Sequence, residues 1–217
     1  MQQLTLVIGN KNYSSWSLRP WLALKHTGAP FQEVRIPLYV PGSKAQILTY
    51  SPTGKVPCLI DGPLAVWDSL AICEYLAEKF PAARLWPRDA EARAVARAVS
   101  AEMHAGFPHI RNHLSMNLRR KPVRPALPPD ALFEIRRVEE IWRSCRNRYG
   151  FNGPYLFGEF SIADAMYAPV AARFENYGIE VSDFSRRYME TLRAMPAMAE
   201  WRAAALAERE VLPALEM

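Results

Sequence analysis

Ser51-Pro52-Thr53-Gly54-Lys55-Val56-Pro57-Cys58-Leu59-Ile60-Asp61-Gly62-Pro63-Leu64-Ala65-Val66-Trp67-Asp68-Ser69 is the stretch whose reading decides the fold. Its first four residues carry turn chemistry. Residues 56–60 and 64–67 are two short β-rich runs around Asp61-Gly62-Pro63, the spacing of a hairpin. Asp68-Ser69 then opens an apolar helix over residues 70–80, with Leu70, Cys73, Leu76 and Ala77 on one face. Upstream, residues 4–8 form a β-rich run closed by Gly9-Asn10. A helix over residues 16–27 follows, with Leu18, Trp21, Leu22 and Leu24 as its apolar face and Gly28 placed to end it. Residues 31–38 alternate as a second strand and reach Pro37, and residues 43–50 form a short helix. The order is βαβ, α, ββ, α, an α/β layer around one mixed sheet.

Downstream the pattern changes. Pro81-Ala82-Ala83-Arg84-Leu85-Trp86-Pro87 reads as a linker, and the rest is helical. Val95, Val99, Met103, Phe107, Ile110 and Leu114 make one long apolar stripe that Pro108 should bend. Ile135, Val138, Trp142, Cys145 and Tyr149 repeat the pattern up to Gly150. Ser161-Ile162-Ala163-Asp164 opens a third helix in which the carboxylate can reach back to the cap amide. Two short helices over residues 189–195 and 197–206 flank Pro196. The expected division is an α/β domain over residues 1–80, a linker over 81–90 and an all-helical bundle over 91–217.

The chain has 217 residues, 50% of them hydrophobic, which is enough for a real core. No apolar run approaches the roughly 18 residues that span a bilayer. Residues 1–8 lack a basic signal region and read as a first strand, so a cytoplasmic protein is expected. Cys58, Cys73 and Cys145 are widely spaced among apolar residues, as buried reduced thiols are, and no pair has metal-ligand spacing. The net charge of +5 is spread along the chain. Its one cluster, Arg119-Arg120-Lys121 with Arg124, lies in a Pro-rich stretch that reads as a solvated loop or as a patch for an anionic ligand or nucleic acid. The first reading is preferred, and no nucleic-acid partner is expected.

Three pieces carry chemistry. Pro57 stands between a turn and a short strand, where a cis peptide would present the backbone of Val56 to a bound peptide by strand addition. Asp68 and Ser69 cap a helix, and the same helix start can hold a carboxylate, with Asp68 facing an ammonium. Ser14 and Ser15 open the first helix. They are N-cap residues by spacing, and a serine hydroxyl there can also donate to a thiolate and stabilise it.

Tyr13-Ser14-Ser15-Trp16-Ser17-Leu18-Arg19 resembles the Ser-Ser-Cys-x-x-Arg signature of zeta-class glutathione transferases, the class that includes maleylacetoacetate isomerases. Val56-Pro57, Asp68-Ser69 and Ser161 to Asp164 fall where that family has its Val-Pro, its acidic-or-Gln-Ser pair and its capping motif. The resemblance covers nearly the whole chain and is to a bacterial relative of the class. It implies a thioredoxin-like N-terminal domain with an all-α helical-bundle C-terminal domain. It implies glutathione as co-substrate, a small electrophile as second substrate, a detoxification role and a homodimer. Ser14 would activate the thiol beside Ser15, Lys44 and Lys55 would lie near the glycyl carboxylate, and Val56, Pro57, Asp68 and Ser69 would hold the peptide. The family's cysteine is Trp16 here, which narrows the pocket and removes cysteine-assisted chemistry. Its Gln-Asn pair aligns with Arg111-Asn112, and an arginine there suits an acidic acceptor. His109 joins that acceptor set; with His113 it has metal-pair spacing, but no third ligand is evident, so no metal is expected. Conjugation and isomerisation both stay open, beside a non-catalytic ligand carrier on the same fold.

Overall fold

A computed structural model describes residues 3–216. The sheet is built from β1 (Leu4–Ile8), β2 (Phe31–Arg35), β3 (Cys58–Asp61) and β4 (Leu64–Trp67) in the order β2-β1-β3-β4. β1 runs parallel to β2 and antiparallel to β3, and β3 and β4 form the hairpin, with Cys58 opposite Trp67. The sheet is therefore mixed, with α1 (Ser15–Thr27), α2 (Ser43–Leu48) and α3 (Ser69–Lys79) around it. Gly28 ends α1 at φ 70°, a left-handed conformation that glycine adopts without a Cβ penalty.

β2 is shorter than the expected span of residues 31–38. Ile36 still donates its N–H to Ile8 O at 2.9 Å, but Pro37 has no N–H to extend the ladder. β3 begins at Cys58 rather than at Val56, so Val56 lies outside the strand pairing.

A single-turn 3-10 segment, Pro81–Ala83, leads out of the sheet domain. Leu85 O accepts from Ile162 N at 2.9 Å and ties this linker to the helical part. That part comprises α4 (Ala90–Ala105), α5 (Pro108–His113), α6 (Pro129–Tyr149), α7 (Ile162–Asn176), α8 (Asp183–Arg193) and α9 (Pro196–Ala207). The expected bend at Pro108 is a break. Gly106 is extended and Phe107 has φ 61°, so α4 stops and α5 starts in a new direction. α8 starts well before the expected residue 189, because Ser182 caps it through Ser185 N and most of its early residues are polar. Among the described residues no helix is long and apolar enough to cross a membrane.

α7 is the central pillar. Nearly all its residues are buried, and it packs against α1 on one side and α4 on the other. Its start is fixed by Asp164, which is fully buried. Oδ2 accepts from Ser161 N at 2.8 Å and from Ser161 Oγ at 3.0 Å. Oδ1 accepts from Leu156 N and Tyr188 Oη, each at 3.0 Å. Burial pushes the Asp164 carboxyl up, and these four donors oppose it. Removing the carboxylate orphans several buried donors at about 1–3 kcal/mol each. Asp164→Ala should therefore lose at least about 3 kcal/mol in urea unfolding; a loss below about 1 kcal/mol would show that this network does not anchor α7.

Candidate functional site

Ser14 is the N-cap of α1. Its Oγ accepts from Ser17 N at 3.3 Å and donates to Ser17 Oγ at 2.7 Å, while Ser17 Oγ also accepts from Gly9 N at 3.1 Å. The cap bond holds the Ser14 oxygen in place, and its proton can turn to a better acceptor. Ser15 faces the helical part, where its Oγ accepts from Arg173 Nη2 at 2.9 Å. Tyr13 lines the same cleft, but its hydroxyl is fully used. It donates to Glu216 Oε1 and accepts from Arg119 Nη2 at 2.8 Å and Leu212 N at 3.2 Å.

Two cavities meet at this point. One, of about 560 Å³, is lined by Ser14, Trp16, Lys44, Lys55, Val56 and Leu215 among others. The other, of about 450 Å³, is lined by Trp16, Lys55, Val56, Pro57, Asp68 and Ser69, with His104. The Val56-Pro57 peptide is cis. The backbone of Val56 is not spent on the sheet, and the residue is half-buried. Asp68 has φ 75° and caps α3, with Oδ1 accepting from Leu70 N at 2.9 Å and Ala71 N at 3.3 Å. Those two first-turn amides are thus already used. The Ser69 hydroxyl is not: it is buried, 1% exposed, and has no hydrogen-bond partner, on the wall of the cavity that Asp68 and Lys55 also line. A buried hydroxyl left unpaired is costly, so it marks a place for a polar ligand group.

Trp16 divides the two cavities. Two guanidinium groups lie over its indole, Arg19 at 4.3 Å and Arg111 at 4.6 Å, with the His104 ring edge-on at 5.3 Å. Arg19 is buried, and its Nε and Nη1 have no partner; Arg173 is buried with Nε unpartnered. Burial and the neighbouring Arg111 push Arg173 down to about 10, which leaves it charged at neutral pH. Burial, with Arg111 and Arg173, also pushes Arg19 down. Three positive charges thus stand behind the start of α1.

Arg111 reaches Trp16 but also closes the end of α4, donating through Nε to Gly106 O at 2.9 Å and through Nη2 to Met103 O. Arg111 lines neither cavity, and nor do His109 and Asn112. His109 stacks with His113 at 6.5 Å and lies 3.9 Å from Asp130, and Asn112 is exposed. The break at Phe107 turns α5 so that these two side chains leave the cleft. Among the described residues no cluster of three or more His, Cys, Asp or Glu side chains could hold a metal. The three cysteines are buried, and burial raises each thiol, Cys145 to about 12.

Ser17, His104 and Arg173 were not anticipated as site residues. Ser17 stands three residues after the cap Ser14, the position whose amide an N-cap bonds, and that spacing was available as a signal. His104 and Arg173 carry no local signal, because their partners lie far along the chain.

Comparison with known proteins gives matches over most of the chain. The model of the glutathione S-transferase N-terminal domain matches residues 13–79, and that of the glutathione S-transferase C-terminal domain matches residues 93–204. Maleylacetoacetate isomerase of Rattus norvegicus is 30% identical over 175 residues, covering 78% of this chain and 77% of the relative. That of Mus musculus is 31% identical over 186 residues, with the same shares covered. In fold, the chain is similar to a glutathione transferase homolog from Burkholderia GL BGR1 solved with bound glutathione. The TM-score is 0.71 at 24% identity, covering 96% of this chain and 100% of that one.

His104 offers a test of the electrostatics. Its Nε2 lies 3.1 Å from Asp68 Oδ2, which favours a proton, but burial together with Arg19 and Arg111 outweighs it and lowers the imidazole's affinity for protons. Below the ordinary histidine value of about 6.5 the unfolded chain therefore binds a proton that the folded chain resists, and stability falls as pH falls. His104→Gln should lose less stability than wild type between about pH 8 and about pH 5 in urea unfolding; parallel losses would contradict the assignment.

Proposed function

Since the chain belongs to the glutathione S-transferase family, we propose that it activates the thiol of glutathione at Ser14 and delivers the thiolate to a small acidic electrophile. Glutathione is the co-substrate, extended along Val56 and Pro57. Its γ-glutamyl carboxylate takes the Ser69 hydroxyl, and its ammonium faces Asp68. Lys44 and Lys55 stand toward the glycyl carboxylate. The observation that carries this reading is the buried, unpartnered Ser69 hydroxyl on the cavity that also holds Val56 and Asp68.

A thiolate accepts more strongly than a hydroxyl, so the Ser14 proton turns from Ser17 Oγ to sulfur. The start of α1 and the charges of Arg19 and Arg173 favour the anion as well. Lowering a thiol from about 8.5 by two pH units takes about 2.7 kcal/mol, within reach of one charge-assisted hydrogen bond and this field. In conjugation the sulfur lone pair forms the new bond and the leaving group departs with its electron pair. In isomerisation the thiolate adds to the acceptor, a bond rotates, and the thiolate leaves again. Buried, and with thiols raised by that burial, the three cysteines take no part.

An acidic acceptor is favoured because Arg19 and Arg111 lie at Trp16 and Arg173 bonds Ser15 beside it. The relatives named as maleylacetoacetate isomerases fit such an acceptor. Trp16, where the resemblance places a cysteine, narrows the approach and favours a slender one. The working form is a homodimer in the cytoplasm: β4 lies at the edge of the sheet with Leu64 and Trp67 exposed, and the unpaired cysteines suit a reducing compartment.

Two measurements test the site. Ser69→Ala should raise the glutathione KM about tenfold, the loss of one hydrogen bond to a charged group; an unchanged KM would remove Ser69 from the binding site. Arg111→Gln should lower kcat/KM for a carboxylated electrophile about tenfold and leave its neutral analogue within about twofold. Equal losses for both would show that Arg111 only closes α4.

A further inference from the structure

The cavity that Lys44 and Lys55 share with Ser14 is roomier than a glycyl end requires. Its volume is about 560 Å³, within the range that buries a whole small-molecule ligand. A glycyl residue brings a carboxylate and no side chain. Yet from the end of β2 to the end of α2 the wall consists of Leu38, Tyr39, Val40, Ser43, Lys44 and Ile47. Local ties hold these side chains in place. Leu38 N donates to Asn10 Oδ1 at 2.8 Å, and Leu38 packs where Gly9 has no Cβ, since one there would come within 2.6 Å of Leu38 Cδ1. Val40 N donates to Ser43 Oγ at 3.1 Å, and the Ser43 hydroxyl lies 2.6 Å from Pro37 O and 2.7 Å from Val40 O. Ser43 is thus spent inside the loop, and this stretch offers a ligand apolar and aromatic surface with one lysine.

Tyr39 stands between these ties with φ 58°, a backbone conformation uncommon outside glycine, and its side chain is 82% exposed. It contributes little to the core, and backbone strain of this kind gathers at ligand clamps. Charge adds an independent observation. The cavity is lined by Lys44 and Lys55 and by no aspartate or glutamate, and among the described residues neither ammonium has a carboxylate partner. Lys44 Cε lies 3.5 Å from where a Cβ on Gly54 would stand, which brings its stem beside the residue before Lys55. Apolar walls with two unpaired cations and no anion suit a ligand group that joins a carboxylate to an apolar side chain.

We propose that this end of the cleft takes a third residue larger than glycine, so that the co-substrate class is γ-glutamyl-cysteinyl peptides with an apolar C-terminal residue. The carboxylate of that residue lies at Lys44 and Lys55, and its side chain packs on Leu38, Tyr39, Val40 and Ile47. Glutathione is then the smallest member of the class. This rests on the reading of Val56, Asp68 and Ser69 as the holders of the first two residues.

The test is calorimetric binding of glutathione, γ-Glu-Cys-Leu and the C-terminal amides of both to the full chain and to a variant carrying Tyr39→Ala with Val40→Ala. Both substituted residues are exposed, so the variant keeps its core. The leucyl peptide should bind wild type about fivefold more tightly than glutathione, the gain from partly burying one aliphatic side chain. The variant should bring that ratio to within about twofold of equality. Amidation should weaken both peptides about tenfold in wild type, the loss of one charge-assisted interaction. A leucyl peptide that binds no better than glutathione would overturn the proposal while leaving glutathione binding intact, and so would a ratio that the variant leaves unchanged. Amides that bind as well as the acids would remove the two lysines as holders of the carboxylate, and the proposal with them. Failure of wild type to bind either acid would instead overturn the reading beneath it.

Discussion

The start of the first helix is the constraint on which the site depends. Ser14 caps α1 through Ser17 N, and that bond places its oxygen at the cleft wall while leaving the hydroxyl proton free to turn. Ser17, held by Gly9 N, takes that proton when nothing stronger is near. The neighbour on one side, Tyr13, is committed to Arg119 and Leu212, and the neighbour on the other, Ser15, is committed to Arg173. Of four consecutive polar or aromatic side chains, Ser14 alone is left to meet a sulfur, with Trp16 as the wall beside it.

Charge is arranged around that point with unusual asymmetry. Arg19, Arg111 and Arg173 converge from α1, α5 and α7, with Asp68 and His104 near Arg19. Like charges this close and this buried raise the energy of the folded protein unless an anion shares the space. The cost falls on stability, and the gain is a field that favours a thiolate and an acidic partner. α7 makes the arrangement possible, because the buried Asp164 network fixes the helix that carries Arg173 against α1.

Much of the fold was legible because its signals are local. The hairpin around Asp61-Gly62-Pro63, the cap at Asp68 and the glycine stop at Gly28 each depend on neighbours a few residues away. The places of Ser14 and Ser69 at helix starts and of Val56 between a turn and a strand were legible for the same reason. His109, Arg111 and Asn112 were placed in the acceptor set by the resemblance, and none of the three lines either cavity, because the left-handed residue at Phe107 starts α5 in a new direction. Arg119 was read as part of a surface cluster because its partners lie 89 and 91 residues further on. No periodicity reports a contact of that kind, and the same holds for Arg173 with Ser15, 158 residues apart.

The central claim is that a hydroxyl at the start of α1 keeps the bound sulfur ionised. Ultraviolet titration of the thiolate band of protein-bound glutathione tests it most directly, in wild type and in Ser14→Ala. The account predicts a midpoint about two pH units below the free thiol's value of about 8.5 in wild type, and a return of at least about one unit toward it in the variant. Coincident midpoints in the two proteins, with glutathione bound to both, would contradict it.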